Sequence, residues 1–209
     1  MARILITSGP TRQYLDPVRY ISNASSGQMG RCLAQAALDA GHEVIVVSGP
    51  VLVEYPLGVT VIPVVSTEEM LEQATLAFAT CDGVIGAAAP CDYRPVDVAD
   101  HKIKKTGDTL ILKLVETPDV VATLGAQKKA GQWSVGFALE TEDARFRAIT
   151  KLQKKNCDLV VLNGTSAINS ASNQVEIIAP NGDIVESISG TKEKVATKIL
   201  AVVQDRLIK

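Results

Sequence analysis

Short β-branched runs alternate with longer amphipathic stretches along the 209 residues. The runs at 3–8, 43–47, 59–64, 82–88, 133–138 and 158–163 read as strands, and apolar positions at helical spacing predict helices near 26–40, 67–80, 117–129 and 141–155. Such alternation is the signature of an α/β fold with a doubly wound, mostly parallel, Rossmann-like sheet. Two stretches break it. Residues 94–116 hold Lys102-Ile103-Lys104-Lys105, a Gly107-Asp108 turn signal and the strand-like 109–113, and read as a flap or hairpin. At 174–188 two strand-like runs flank Pro180-Asn181-Gly182-Asp183, an Asn-Gly hairpin signal, and a last helix follows at about 190–207. No repeat, linker or shift of composition divides the chain, so 1–209 is expected to be a single domain.

Ligands of a parallel sheet lie beyond the carboxyl ends of its strands, which directs attention to the segments after residues 8, 47, 88, 138 and 163. Composition then narrows the class. A hydrophobic content of 46% with 21% charge is that of a packed core, and a formal charge of -2 gives no footprint for nucleic acid or an anionic membrane. Small anions remain open as ligands of local basic clusters. Cys32, Cys81, Cys91 and Cys157 show no C-x-x-C spacing and sit in or beside apolar runs, as buried free thiols of a reducing compartment do. No apolar run approaches the roughly 18 residues of a membrane span, and the first segment reads as a strand and not as a leader. A cytoplasmic location is expected.

Both standard nucleotide motifs fail on spacing. Gly9 is followed by about fifteen residues before Ser25-Ser26-Gly27-Gln28-Met29-Gly30, whereas a dinucleotide turn crowds its glycines directly after the first strand. No Gly-Lys pair exists for a phosphate loop. What remains is a set of anion-competent loops, each with a structural alternative. Ser25-Ser26-Gly27 suits a phosphate at a helix start, or merely caps that helix. Thr117-Pro118-Asp119 opens a helix with Thr as cap and Pro at its first position. Lys151 and Lys155 share a helix face that complements the macrodipole of a helix beginning with Glu140, Glu142 and Asp143. The flap lysines follow Ala87-Ala88-Ala89-Pro90-Cys91-Asp92-Tyr93, a small-residue strand end where backbone can approach a ligand. The long loop Asp16-Pro17-Val18-Arg19-Tyr20-Ile21-Ser22-Asn23 gathers an arginine fork and an oriented amide at the same edge. These residues alone describe an anion-binding α/β enzyme.

Taken in order, Thr7-Ser8-Gly9-Pro10-Thr11-Arg12, the 16–23 loop, Ser25-Ser26-Gly27-Gln28-Met29-Gly30, Ser48-Gly49-Pro50, Asp92-Tyr93-Arg94, Lys102-Ile103-Lys104-Lys105, Thr117-Pro118-Asp119 and Gly136-Phe137-Ala138-Leu139-Glu140-Thr141 closely resemble the bacterial phosphopantothenate-cysteine ligases of coenzyme A biosynthesis. The resemblance implies a ligase in which 4'-phosphopantothenate attacks the α-phosphate of CTP and L-cysteine then resolves the acyl-cytidylate, with Mg²⁺ as counter-ion. It implies Asn23 at the intermediate, Arg19 at the substrate's anionic end and Lys102 at the activation step. The nucleotide is expected against Gly86, Ala87, Ala88, Asp92, Lys102, Pro118, Asp119, Val120, Val121, Phe137, Lys151 and Lys155, with Ser25, Ser26 and Gly27 as a further anion site. The metal ligands are not given by the pattern. A homodimer, a stand-alone form and a separate phosphopantothenoylcysteine decarboxylase as functional partner are expected on the same ground. Pro90-Cys91 departs from the small aliphatic pair anticipated before Asp92, and neither His42 nor His101 stands in a motif that makes Cys91 a nucleophile. The rival readings are an ATP-dependent ligase and a non-catalytic NAD(P)-binding regulatory module.

Overall fold

The computed structural model describes residues 1–139, 143–164 and 172–208. In chain order its elements are β1 (Arg3–Ser8), β2 (Arg12–Tyr14), β3 (Tyr20–Ser22), α1 (Gln28–Asp39), β4 (Glu43–Ser48), β5 (Thr60–Pro63), α2 (Thr67–Phe78), β6 (Gly83–Gly86), β7 (Tyr93–Pro95), β8 (Leu114–Glu116), α3 (Val120–Ala126), β9 (Trp133–Leu139), α4 (Ala144–Lys154), β10 (Leu159–Asn163), β11 (Ser172–Ile178), β12 (Ile184–Thr191) and α5 (Lys192–Leu207). Eight strands form one sheet in the order β12-β11-β10-β9-β6-β1-β4-β5. From β10 to β5 every pairing is parallel, while β11 runs antiparallel to both β10 and β12. The expected doubly wound α/β sheet with its edge hairpin is therefore present.

Strand alternation sorts the apolar residues onto two faces. Ile4, Ile6, Val44, Val46, Val135, Leu159, Val161, Val175 and Ile177 turn toward α1 and α5. Leu5, Val47 and Val84 turn toward α2 and α3, and Ala138, Val160, Leu162 and Ile178 toward α4. Both faces are covered, as near-continuous apolar strands of a parallel sheet require. At the start of α2, Ser66 Oγ accepts from Glu69 N at 3.1 Å and the Glu69 carboxylate accepts from Val65 N at 2.7 Å, a reciprocal cap that fixes where the helix begins.

Three local expectations change. Residues 109–113 form no strand: the ladder of the excursion pairs Tyr93–Pro95 with Leu114–Glu116, and Leu110 and Ile111 stand 57% and 82% exposed with no partner strand beside them. The α3 helix begins at Val120, later than expected, because Asp119 is the cap and its carboxylate accepts from Ala122 N at 3.0 Å. Asp is the stronger cap, and Thr117 is used elsewhere. The 16–23 loop is the outer half of a small antiparallel hairpin, β2 against β3, which the pattern did not signal. Glu140, Thr141 and Glu142 lie outside the described residues.

Candidate active site

The order of strands reverses at β1, which has β4 on one side and β6 on the other, so a crevice opens at the carboxyl ends of β1 and β6. The α1 helix is seated on that crevice by close contact. A Cβ on Gly30 would lie 2.1 Å from Ser8 Oγ, so only glycine lets the helix approach the end of β1. Ser8 Oγ donates to Gly27 O at 3.3 Å. Gly27 itself is the N-cap, at φ 75, a conformation glycine adopts without strain. Ser25 and Ser26 hydroxyls accept from Gly27 N and Gln28 N, each at 3.4 Å, so both serve the turn into the helix.

Two cavities share a wall along this crevice. The smaller, about 310 Å³, is lined by Gly86, Ala88, Asp92, Pro118, Asp119, Val120, Val121, Phe137 and Lys155, and also by Thr7, Glu116, Thr117 and Lys154. The larger, about 530 Å³, runs past Asn23, Ser25, Ser26, Gly27, Ala87 and Lys151 to Asn163, Asn173 and Lys192. Ala88, Pro90, Asp92 and Phe137 line both. Gly86 forms the floor, where a Cβ would meet the Val121 side chain at 2.4 Å. Lys155 Nζ pairs with Asp119 Oδ2 at 3.0 Å, tying the end of α4 to the start of α3 at the rim of the smaller cavity. The two lysines once read as one helix face thus divide: Lys151 serves the larger cavity, Lys155 the smaller.

Buried hydroxyls hold the shared wall. Cys91 N donates to Thr11 Oγ1 at 2.8 Å, Thr11 and Thr67 hydroxyls meet at 2.8 Å, and Thr67 and Thr117 hydroxyls both donate to Cys91 O. The Cys91 thiol is buried, and it donates to Thr11 O and Ile21 O at 3.4 Å each. Burial pushes its pKa up. The thiol stitches β3 to the wall. Burial raises the other three thiols too, Cys81 to about 11. Asn23, just past β3, lines the larger cavity and donates from Nδ2 to Ala89 O at 3.4 Å and to Pro90 O at 2.8 Å, and Pro90 lines both cavities.

Arg19 and Lys102 line neither cavity. Arg19 Nη1 donates to Asp16 Oδ2 at 2.7 Å and Ile103 O at 3.1 Å, and Lys102 is exposed on the flap beside Ile103. Burial alone would raise the Asp16 pKa, but the amides of Ile103, Val18 and Arg19 and the Arg19 guanidinium outweigh it and hold the carboxylate below its ordinary value.

The model of the DNA/pantothenate metabolism flavoprotein C-terminal domain family matches residues 1–207. The chain belongs to this family. It is 42% identical over 203 residues to the coenzyme A biosynthesis bifunctional protein CoaBC of Vibrio parahaemolyticus, covering 94% of this chain and 51% of that protein. The CoaBC of Escherichia coli is 42% identical over 189 residues, covering 87% and 47%. The chain thus spans about half the length of the curated relatives it matches. The crystal structure of the C-terminal domain of a CoaBC superposes with a TM-score of 0.82 at 38% identity, covering 98% of this chain and 95% of that one. The DNA/pantothenate metabolism flavoprotein from Streptococcus pneumoniae shares the fold, with a TM-score of 0.84 at 23% identity, covering 98% of this chain and 99% of that one.

The cleft is built from residues that the sequence patterns marked and from others that they did not. Glu116, Lys154, Asn163, Asn173 and Lys192 line the cavities without having been singled out. Asn163 ends β10 at one of the strand ends expected to carry chemistry, a signal that was available. Asn173 and Lys192 come from β11 and from the first turn of α5, brought in by the antiparallel hairpin, and only the tertiary fold reveals them. Among the described residues no cluster of three or more His, Cys, Asp or Glu is arranged to hold a metal, and no helix is long and apolar enough to cross a membrane.

Proposed function

We propose that this domain, spanning 1–209, is a ligase that joins 4'-phosphopantothenate to L-cysteine, with CTP converted to CMP and pyrophosphate, as a step of coenzyme A biosynthesis. The observation that carries the reading is the junction of the two cavities at Ala88, Pro90, Asp92 and Phe137, with the Asn23 amide set beside it. A reaction that joins a nucleotide to an acyl substrate needs two adjoining pockets and one reacting centre between them. The nucleotide takes the smaller cavity, between Pro118-Asp119-Val120-Val121 and Phe137, and the acyl substrate takes the larger.

In the first half, a carboxylate oxygen of phosphopantothenate attacks the α-phosphorus. The bond from that phosphorus to the bridging oxygen breaks, and pyrophosphate leaves. Lys102, on the flap, together with Lys151 and Lys155, offsets the charge that develops on the transferring group. In the second half, the cysteine amine attacks the acyl carbon, CMP departs with the bonding pair, and the amine gives up a proton. The Asn23 amide orients the acyl-cytidylate, and Arg19 serves the anionic end of the substrate. Mg²⁺ bound with the nucleotide would offset charge on the phosphates, and one or two carboxylates plus phosphate oxygens would suffice to hold it. Asp92, exposed on the shared wall, has the chemistry for that task.

The proposal includes a homodimer in which the flap meets a second copy. Val18, Val96, Val98, Leu110 and Ile111 are all more than half exposed, an apolar surface of the kind that subunit contacts cover. Four buried thiols suit the reducing cytoplasm, where a phosphopantothenoylcysteine decarboxylase would consume the product. The test is pyrophosphate release by the purified chain with Mg²⁺, 4'-phosphopantothenate, cysteine and either CTP or ATP. Release with CTP that requires phosphopantothenate is expected. Preference for ATP would revise the nucleotide, and no release with either would sink the ligase and leave a binding module.

A further inference from the structure

Asp16 is the one fully buried acid of the described residues, and neither half-reaction uses it. Its two oxygens face different elements. Oδ1 accepts from Val18 N and Arg19 N at 2.8 Å each, closing the turn between β2 and β3. Oδ2 accepts from Arg19 Nη1 at 2.7 Å and, across 87 positions of sequence, from Ile103 N at 3.0 Å. The flap returns the contact: Ile103 O accepts from Arg19 Nη1 at 3.1 Å, and Ala99 N donates to Leu15 O at 3.0 Å. The turn that carries Arg19 and leads to Asn23 is thereby fastened to the flap that carries Lys102.

Peptide planarity makes the fastening specific to Lys102. The amide that Asp16 holds belongs to a rigid unit whose other end is the Lys102 Cα. Fixing the Ile103 N–H therefore fixes the point from which the Lys102 side chain departs. We infer that Asp16 is a positioning residue for the activation step: its carboxylate locks the Arg19 turn and the Lys102 flap into one unit, so that the cation of the first half-reaction and the groups of the second keep a fixed relation. The inference rests on the ligase reading for its kinetic consequence, and on geometry alone for the lock.

Asp16→Asn tests it, being isosteric. The amide oxygen can still close the turn, but the NH₂ group then faces the Ile103 N–H and the guanidinium, donor against donor. The Lys102–Ile103 peptide, whose N–H is held in the wild type, should become accessible to trypsin. Its cleavage rate relative to the Lys105–Thr106 bond is read by mass spectrometry of short digests, and should rise on the order of ten-fold, as the loss of a hydrogen bond to a charged group implies. Pyrophosphate release should fall on the order of 100-fold through kcat, as misplacement of a catalytic group by about 1 Å does. In a Lys102→Ala background the same substitution should cost little more. Ile103→Pro removes the donor from the flap side and should give the same kinetic loss, which keeps the idea testable if Asp16→Asn fails to fold. An unchanged cleavage ratio, or losses that multiply fully in the double variant, would overturn the lock. A protein that releases no pyrophosphate with either nucleotide overturns the ligase reading, while a raised cleavage ratio in the same samples still supports the lock.

Discussion

Replacing Gly125 with alanine separates helix propensity from packing, because the two have opposite signs there. Gly125 lies in α3 with no positive φ, so alanine suits the backbone, and propensity alone would stabilise by about 1 kcal/mol. The added Cβ, however, would sit 2.0 Å from Lys155 O, 3.2 Å from its carbonyl carbon and 3.4 Å from Asn156 O. These are backbone atoms of the turn that ends α4, and that turn is pinned to the same glycine by Asn156 Nδ2 on Gly125 O at 2.8 Å. Ordinary C···O contact is about 3.3 Å or more, so the α4 end must retreat by about 1 Å. Overpacking of this kind costs about 1–3 kcal/mol, and the strained side-chain bond adds about 1 kcal/mol. Against a propensity gain of about 1 kcal/mol, a net loss of about 2 kcal/mol remains. For a chain of this length that lowers Tm by roughly 4–8 °C. Lys155 moves with the turn, so KM for the nucleotide should rise on the order of ten-fold while KM for phosphopantothenate stays. Scanning calorimetry and the two KM values check this. A Tm equal to or above that of the wild type would refute the packing argument.

The remaining expectations concern the chemistry, the wall and the pH response. Asn23→Ala should still release pyrophosphate but accumulate acyl-cytidylate, visible by phosphorus NMR, whereas Lys102→Ala should fail to activate; equal loss of both steps in both variants would remove the division of roles. Thr11→Val leaves the buried Cys91 N–H without its acceptor and removes one of the two partners of the Thr67 hydroxyl, which keeps Cys91 O, so urea unfolding should register a loss of about 1–3 kcal/mol. His42 is buried with Nδ1 accepting from Ala2 N at 3.1 Å, and burial, followed by the N-terminal ammonium, holds its pKa below 6.5. The unfolded chain therefore binds the proton first: the contribution is present above pH 6.5 and is lost as pH falls through and below that value. Urea midpoints between pH 8 and pH 5 should fall less in His42→Gln than in the wild type.

The sheet was legible because its signals are local. Ile4, Ile6, Val44 and Val46 carry their alternation wherever the chain is read, and the Asn181-Gly182 pair announces its own turn. The β2–β3 hairpin was not legible, because three-residue strands give too few alternations to distinguish from a loop and their pairing depends on Asp16 and Cys91 contacts distant in sequence. The same reason hid the cap of α3: Thr117 and Asp119 are both cap residues, and to the stronger capping of Asp is added the position of Cys91 O, distant in sequence, which draws the threonine away. In the cleft, Gly86, Ala88, Asp92 and the 118–121 segment were reached through the resemblance, while Asn173 and Lys192 were not, since nothing near them in sequence marks them as part of the cleft. Lys151 and Lys155, read as one helix face, line two adjoining cavities. Lys151 lies within α4 and Lys155 is its C-cap, so the two depart from different backbone settings at the end of the helix.

The grip on Asn23 depends on the main chain, for its partners are the carbonyls of Ala89 and Pro90. A carbonyl is present whatever the side chain, and proline, which lacks an N–H, still offers one. The Pro90-Cys91 pair can therefore stand where small aliphatic residues were anticipated without loosening the amide. A substitution at position 90 has to bend the backbone before it disturbs Asn23, whereas a single atom changed at position 23 disturbs it directly. Drift in sequence along this wall and constancy of its function are thus compatible, and the tolerance is unequal on the two sides of one hydrogen bond.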